Sequence, residues 1–180
     1  MNVVQPIRDR KKLEACKAWF AKRSARDNLA FLVGINTGLR ISDILQLRVH
    51  QVDGQYIVVR EKKTGKRRFI PINYELAHAF RQYCRGRRGH EYLFQSREGD
   101  NRPLTTSMFY RIMRECADAV GLEHIGTHTM RKTFGYHLYQ QTKDPQLVCE
   151  ALGHSDPSIT RRYIGINQET VDTAIGRFRI

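Results

Sequence analysis

A chain of 180 residues with 31 Lys plus Arg against 18 Asp plus Glu carries a formal charge of +13 and a pI near 10.0. That length suits one domain able to bury its own core, and 41% hydrophobic with 27% charged residues excludes a disordered tail. The excess of cations points to a polyanionic partner, but charge alone fixes neither fold nor chemistry.

No apolar run approaches the ~20 residues of a membrane span, and residues 1–10 lack the apolar stretch of a signal peptide. Cys16, Cys84, Cys116 and Cys149 form no C-x-x-C pair, so neither a zinc site nor a disulfide framework is expected. Reduced cysteines suit the cytoplasm. No repeat or low-complexity linker divides the chain, and one domain over 1–180 is expected.

Asp9 can cap a first helix that carries Leu13, Cys16 and Phe20 on one face. A second helix is predicted over 28–36 and stops at Gly38. Ser42 can cap a short third helix through Ile44, Leu45 and Leu47, which leaves Arg40 at a junction between helices. Residues 56–60 and 68–72 read as the strands of a β-hairpin turning near Thr64-Gly65, with Lys62, Lys63, Lys66 and Arg67 crowding its tip. A third short strand is predicted at 92–94. Helices follow at 105–120, with Phe109, Ile112, Met113 and Cys116 inward before Gly121, then at 130–140, at 145–152 and after Asp156-Pro157. A last helix over 168–178 has an apolar stripe of Val171, Ala174, Ile175 and Phe178. The fold class is α+β, mainly α-helical, with a small antiparallel sheet of about three strands.

Four groups of residues can carry chemistry. His128 and Arg131 in His128-Thr129-Met130-Arg131 lie one helical turn apart on one face, a spacing suited to gripping a phosphate. Seven His and 22 Arg nevertheless produce about one such pair by chance. Gly153-His154 precedes Tyr163 across a capped turn and a short helix, although a lone tyrosine is usually packing or surface. Arg40 follows the helix-ending Gly38, and Asp43 in the next first turn can hold a basic group; a capping turn with a solvent-facing arginine has the same pattern. A lysine-rich hairpin tip is more often a phosphate-steering surface than a catalytic one, and the residues alone do not choose among Lys62, Lys63 and Lys66. The order along the chain, Arg, Lys, His-x-x-Arg, Gly-His, Tyr, is a stronger signal than any one group.

In that order the chain resembles the catalytic domain of the tyrosine recombinases, the phage-integrase family, over residues 9–178. The matching positions are Arg40 in TGLRISDIL, Lys63 eight residues before Pro71, His128 and Arg131 in HTMRKTF, and His154 with Tyr163 in LGHSDPSITRRYIG. Lys132 stands where many relatives have a second histidine, and Met130 where leucine is commoner. Asp43 fits the acidic residue that supports the first arginine. The resemblance implies the DNA breaking-rejoining fold. Relatives usually carry a helical core-binding domain before this point, absent from this sequence, so weak, strongly salt-sensitive DNA binding and poor recombination by this chain alone are expected.

The resemblance also implies cleavage and rejoining of double-stranded DNA through a 3′-phosphotyrosyl link made by Tyr163. Displacing an alcohol from a phosphodiester builds negative charge on the non-bridging oxygens. Arg40 and Arg131 can fork onto them, and His154 can donate a further hydrogen bond. His128 is the expected proton acceptor for Tyr163, and Lys63 the donor to the departing 5′-oxygen. Lys62, Lys66, Arg67, Lys132, Arg161 and Arg162 are expected along the DNA. No metal, ATP or other cofactor is expected, because the bond energy is kept in the protein–DNA link.

A type IB topoisomerase would share this chemistry, but such relatives commonly have Ser-Lys before the tyrosine helix, where this chain has Thr160-Arg161-Arg162. A binding-only protein of the same fold could have lost Arg40, Lys63, Arg131, His154 and Tyr163, which are all present. A metal hydrolase fits less well, since His124 and His128 lack the intervening Glu of H-E-x-x-H. The partners implied are double-stranded DNA and, on paired sites, a homo-tetramer of a chain that is monomeric when free. The setting is a prokaryotic or phage cytoplasm, near the nucleoid, and the process integration or excision of a phage or mobile element.

Overall fold

In the computed structural model, which describes residues 4–62, 65–154, 156–165 and 168–179, Asp9 opens helix α1 (Arg10–Arg23). Its carboxylate accepts the backbone N–H of Lys11 at 2.7 Å, satisfying a donor that the helix itself leaves unpaired. Ser24 caps α2 (Ala25–Thr37) through Asp27 N–H at 3.1 Å, so this helix starts three residues before the expected position. Gly38 ends it at φ 63°, a left-handed conformation that glycine adopts without steric cost.

The short α3 (Ile41–Ile44) takes Arg40, not Ser42, as its N-cap. The Arg40 carbonyl already accepts from Asp43 and Ile44 N–H at 2.9 and 3.0 Å, so the turn begins before the serine. The arginine side chain takes no part in the cap and remains available for other partners.

A 3-10 turn (Val49–Gln51) leads into the antiparallel hairpin of β1 (Tyr56–Arg60) and β2 (Arg67–Pro71), with Val58 opposite Phe69. Among the described residues the sheet has two strands, which corrects the expected three. The run at 92–94 pairs with loops instead. Tyr92 bridges Arg48, Leu93 N–H donates to the Leu47 carbonyl at 2.7 Å, and the Phe94 carbonyl accepts from Leu104 at 2.8 Å. With its backbone groups taken on two sides, the run has nothing to offer the hairpin.

Helix α4 (Tyr74–Cys84) was not foreseen. Asn73 caps it by accepting Leu76 N–H at 2.9 Å, and Leu76 and Phe80 bury one face. The chain continues through α5 (Thr106–Val120), α6 (Thr129–Thr142), α7 (Pro145–Leu152), α8 (Pro157–Ile164) and α9 (Gln168–Arg177). Asp144 and Asp156 cap α7 and α8 ahead of Pro145 and Pro157, as the Asp-Pro pairs predict.

A large core gathers α1, α2, α4, α5 and the hairpin, with Phe20 stacked on Phe31 at 4.4 Å between centroids. Each such buried side chain contributes about 1.5–3 kcal/mol. A smaller cluster of Val148, Leu152 and Ile164, flanked by Phe134 and Tyr163, binds α7 and α8 to α6. Helix α6 joins the two clusters. It lies so close to α2 that a Cβ on Gly34 would come 2.5 Å from Met130 Sδ, and on the other face a Cβ on Gly135 would meet Leu152 Cδ1 at 3.1 Å.

The four cysteines are free thiols. Among the described residues no helix is long and apolar enough to cross a membrane. Ile175 of α9 and Phe178 just beyond it are exposed, whereas the side chains of Val171 and Ala174 lie outside the described residues.

Candidate active site

Arg131 is only 2% exposed. Its Nη1 donates to the Gly38 carbonyl and its Nη2 to the Leu152 carbonyl, both at 2.6 Å. These acceptors end α2 and α7, where unpaired carbonyls carry the negative pole of each helix. One guanidinium therefore fixes two helix ends, and each Nη keeps a second hydrogen for another acceptor. Burial lowers the Arg131 pKa from its ordinary value, as does the neighbouring Arg40 charge; Tyr163 and Glu61 act in the opposite direction.

A second arginine group surrounds Glu61, a carboxylate 2% exposed at the end of β1. Its Oε2 accepts from Arg40 Nη1 and its Oε1 from Arg68 Nη1, each at 3.0 Å. Arg68 Nη2 donates to the Ala151 carbonyl at 2.5 Å, in the last turn of α7. The hairpin and α7 are thereby joined beside Gly153, which turns at φ 64° to bring His154 back toward the arginines.

His154 Nδ1 lies 2.9 Å from the Thr160 hydroxyl. Burial pushes the imidazole pKa down to about 4, helped by Arg131, Arg40 and Arg68 and opposed by Glu61. The ring is therefore neutral near pH 7, and in the tautomer whose Nδ1 accepts from the Thr160 hydroxyl the single ring proton sits on Nε2 and can donate.

Thr160 and Ile164 are buried one turn apart on α8 and set the helix so that the half-buried Tyr163 turns toward His154. The two rings meet edge to face at 4.9 Å and 81°. Lys132 Nζ lies 5.2 Å from the Tyr163 ring centroid and donates to the Val4 carbonyl at 2.8 Å.

Arg40, Arg131, His154 and Tyr163, far apart in sequence, thus meet around one small volume. His128 forms the N-cap of α6 with an exposed side chain, one turn before Arg131 and Lys132. Asp43 reaches the hairpin, its Oδ1 accepting Lys62 N–H at 3.0 Å, while the buried Oδ2 has no hydrogen-bond partner among the described residues. The carboxylate on Arg40 belongs to Glu61. Lys63 lies outside the described residues. Lys62, Lys66, Arg67, Arg161 and Arg162 are exposed, and Lys132 is half-buried.

Sequence reasoning missed Glu61, Arg68 and Thr160. One signal was available: Glu61 is the only acid between Asp53 and Glu75, among six Lys and Arg residues, and a lone carboxylate there suggests an internal partner. Chemically, three guanidiniums and a neutral imidazole beside a phenol suit a tetrahedral oxyanion under attack by the phenol oxygen.

The sequence model of the phage integrase family matches residues 10–170. The chain is 46% identical over 175 residues to the probable integrase/recombinase YoeC of Bacillus subtilis (strain 168), covering 97% of this chain and 96% of that protein. It is 30% identical over 160 residues to tyrosine recombinase XerA of Pyrococcus furiosus, covering 87% of this chain and 56% of that one. In fold it is similar to the XerH site-specific recombinase in its pre-cleavage complex with difH substrate. That likeness has a TM-score of 0.72 at 22% identity and covers 98% of this chain and 55% of the other. The chain thus spans nearly all of YoeC and about half of the Xer proteins.

Proposed function

Because the chain belongs to the phage integrase family, the tyrosine recombinases, we propose that it cleaves and rejoins double-stranded DNA with Tyr163 as nucleophile. The observation that carries this reading is the placing of the Tyr163 ring against His154, within the field of Arg131 and Arg40. The phenol oxygen attacks the scissile phosphorus and the 5′-oxygen leaves, forming a 3′-phosphotyrosyl link. Arg40, Arg131 and the Nε2 proton of His154 stabilise charge on the non-bridging oxygens as it grows. His128 takes the phenol proton and Lys63 protonates the leaving oxygen. Attack by a 5′-hydroxyl runs the steps backwards and frees the tyrosine, so neither ATP nor a metal is needed.

Residues 1–180 act in this reading as one catalytic domain. Lys62, Lys66, Arg67, Lys132, Arg161 and Arg162, with Asp43 supporting the hairpin, line the approach to the DNA, and the +13 charge makes binding steeply salt-dependent. The chain works as a homo-tetramer on paired sites, is monomeric when free, and serves integration or excision of a phage or mobile element in the cytoplasm, at the nucleoid. The test is incubation of the chain with a pool of nicked duplexes of random sequence, whose short cleavage product diffuses away and traps the covalent link. Wild type should yield a denaturation-resistant protein–DNA species, with EDTA present or absent, and Tyr163→Phe none. A covalent species that persists in Tyr163→Phe refutes the nucleophile.

A further inference from the structure

Glu61 has no place in the chemistry just described, yet it is the buried anion among the site's cations. Its carboxylate spans Arg40 and Arg68 at 3.0 Å each, and Arg68 is in turn fastened to the Ala151 carbonyl at 2.5 Å. Its backbone closes the base of the hairpin tip: Glu61 N–H donates to the Lys66 carbonyl at 2.9 Å, and Gly65 N–H donates to the Glu61 carbonyl at 2.8 Å. The next residue, Lys62, is held by Asp43 of α3. One residue thus connects Arg40, the hairpin at Lys62, and the end of α7 that presents His154.

Charge explains why such a connection is needed. Arg40, Arg68 and Arg131 all depress His154, and Arg40 depresses Arg131, so the guanidiniums lie within one another's fields. Like charges this close repel, strongly so where burial reduces screening. Arg40 sits at the N-cap of a four-residue helix without a capping bond of its own. A carboxylate on its inner side offsets the repulsion and fixes which way the remaining N–H groups point.

We propose that Glu61, braced by Arg68, is a positioning residue that aims Arg40 at the non-bridging oxygen of the scissile phosphate. This rests on the DNA-cleavage reading and adds to it a residue that touches neither DNA nor the reacting atoms. It gives Glu61 two effects of opposite sign. As a negative charge near the phosphate it opposes DNA binding, while as a guide for Arg40 it speeds the chemical step.

The experiment compares wild type, Glu61→Gln and Glu61→Asp on the nicked duplex recovered from the random pool. Measured are the rate constant of covalent-complex formation at saturating duplex and the duplex concentration that half-saturates binding. Glu61→Gln should slow the covalent step about ten- to a hundredfold, the range that misplacing a reacting group produces, while binding stays equal or tightens. Glu61→Asp keeps the charge but withdraws the carboxylate by one methylene; it should be slower with binding unchanged, and carries the test if the glutamine variant does not fold. On a duplex with a neutral methylphosphonate at the scissile position, Arg40 has less charge to meet, so wild type and Glu61→Gln should react at similar rates. Glu61→Gln should add nothing to Arg40→Ala.

Equal rates for wild type and both variants overturn the role of Glu61 while leaving the cleavage reading intact. So does a loss of rate and binding together, or a penalty that persists on the methylphosphonate. A wild-type chain that forms no covalent species with the pool overturns both.

Discussion

His154 and Tyr163 meet edge to face at 4.9 Å between ring centroids, while Nδ1 of the imidazole lies 2.9 Å from the Thr160 hydroxyl. Thr160 and Tyr163 belong to one helix, so the residue that orients the histidine and the residue it packs against move as a unit. Where the Thr160 hydroxyl gives its hydrogen to Nδ1, it favours the tautomer of the neutral imidazole that donates from Nε2.

Thr160→Val preserves the buried volume and removes that hydrogen. The loss of one neutral hydrogen bond, about 0.5–1.5 kcal/mol, should slow covalent-complex formation about three- to tenfold. The variant should also shift the imidazole tautomer balance, read from the 15N shifts of the His154 ring. An unchanged tautomer with an unchanged rate would refute the orienting role.

The depressed His154 pKa has a signed consequence for stability. The group falls from an ordinary 6.5 to about 4 on folding. Between those values the unfolded chain takes up a proton that the folded chain refuses, so stability rises with pH across the window and is lost as pH falls through it. Urea midpoints measured from about pH 7 down to about pH 4 should fall less steeply for His154→Gln than for wild type. Parallel slopes would mean that the imidazole is not buried among cations.

Arg131→Lys retains the charge but not the fork that reaches Gly38 and Leu152 together. Lysine satisfies at most one of these helix ends, so unfolding free energy should drop by about 2–4 kcal/mol. Cleavage should fall further than the lost fraction of folded protein explains. Wild-type stability in this variant would show that the two carbonyls find water instead.

Gly34→Ala should destabilise by about 1–3 kcal/mol, although alanine favours a helix interior over glycine by about 1 kcal/mol. The added methyl would meet Met130 Sδ at 2.5 Å and Met130 Cβ at 2.9 Å. If that clash is the cause, the same change should cost less in a Met130→Ala background, a non-additivity that urea melts of the four proteins measure directly. Because Met130 precedes Arg131, the single variant should also slow cleavage.

The local features were legible in the sequence because their causes are local. Asp144-Pro145 and Asp156-Pro157 start helices within a few residues, and Gly38, Gly121 and Gly153 end them by adopting left-handed backbone. Helix α4 carried the same kind of signal, an Asn73 cap before Leu76 and Phe80, and went unread. The misplaced third strand had another cause. A short apolar run at 92–94 has strand composition, but the Leu47 and Leu104 segments that claim its backbone are remote in sequence.

The order and spacing of Arg40, Arg131, His154 and Tyr163 were determined by sequence alone, together with the charge that draws a polyanion. Tertiary structure decided what holds those groups in place: Glu61 between two arginines, Gly38 and Leu152 on Arg131, Thr160 behind His154. Each of these is a hydrogen bond whose strength depends on a few tenths of an ångström and on burial. Such quantities exist only once the chain has brought distant residues together, whereas helix caps and chain order are already present in the unfolded string.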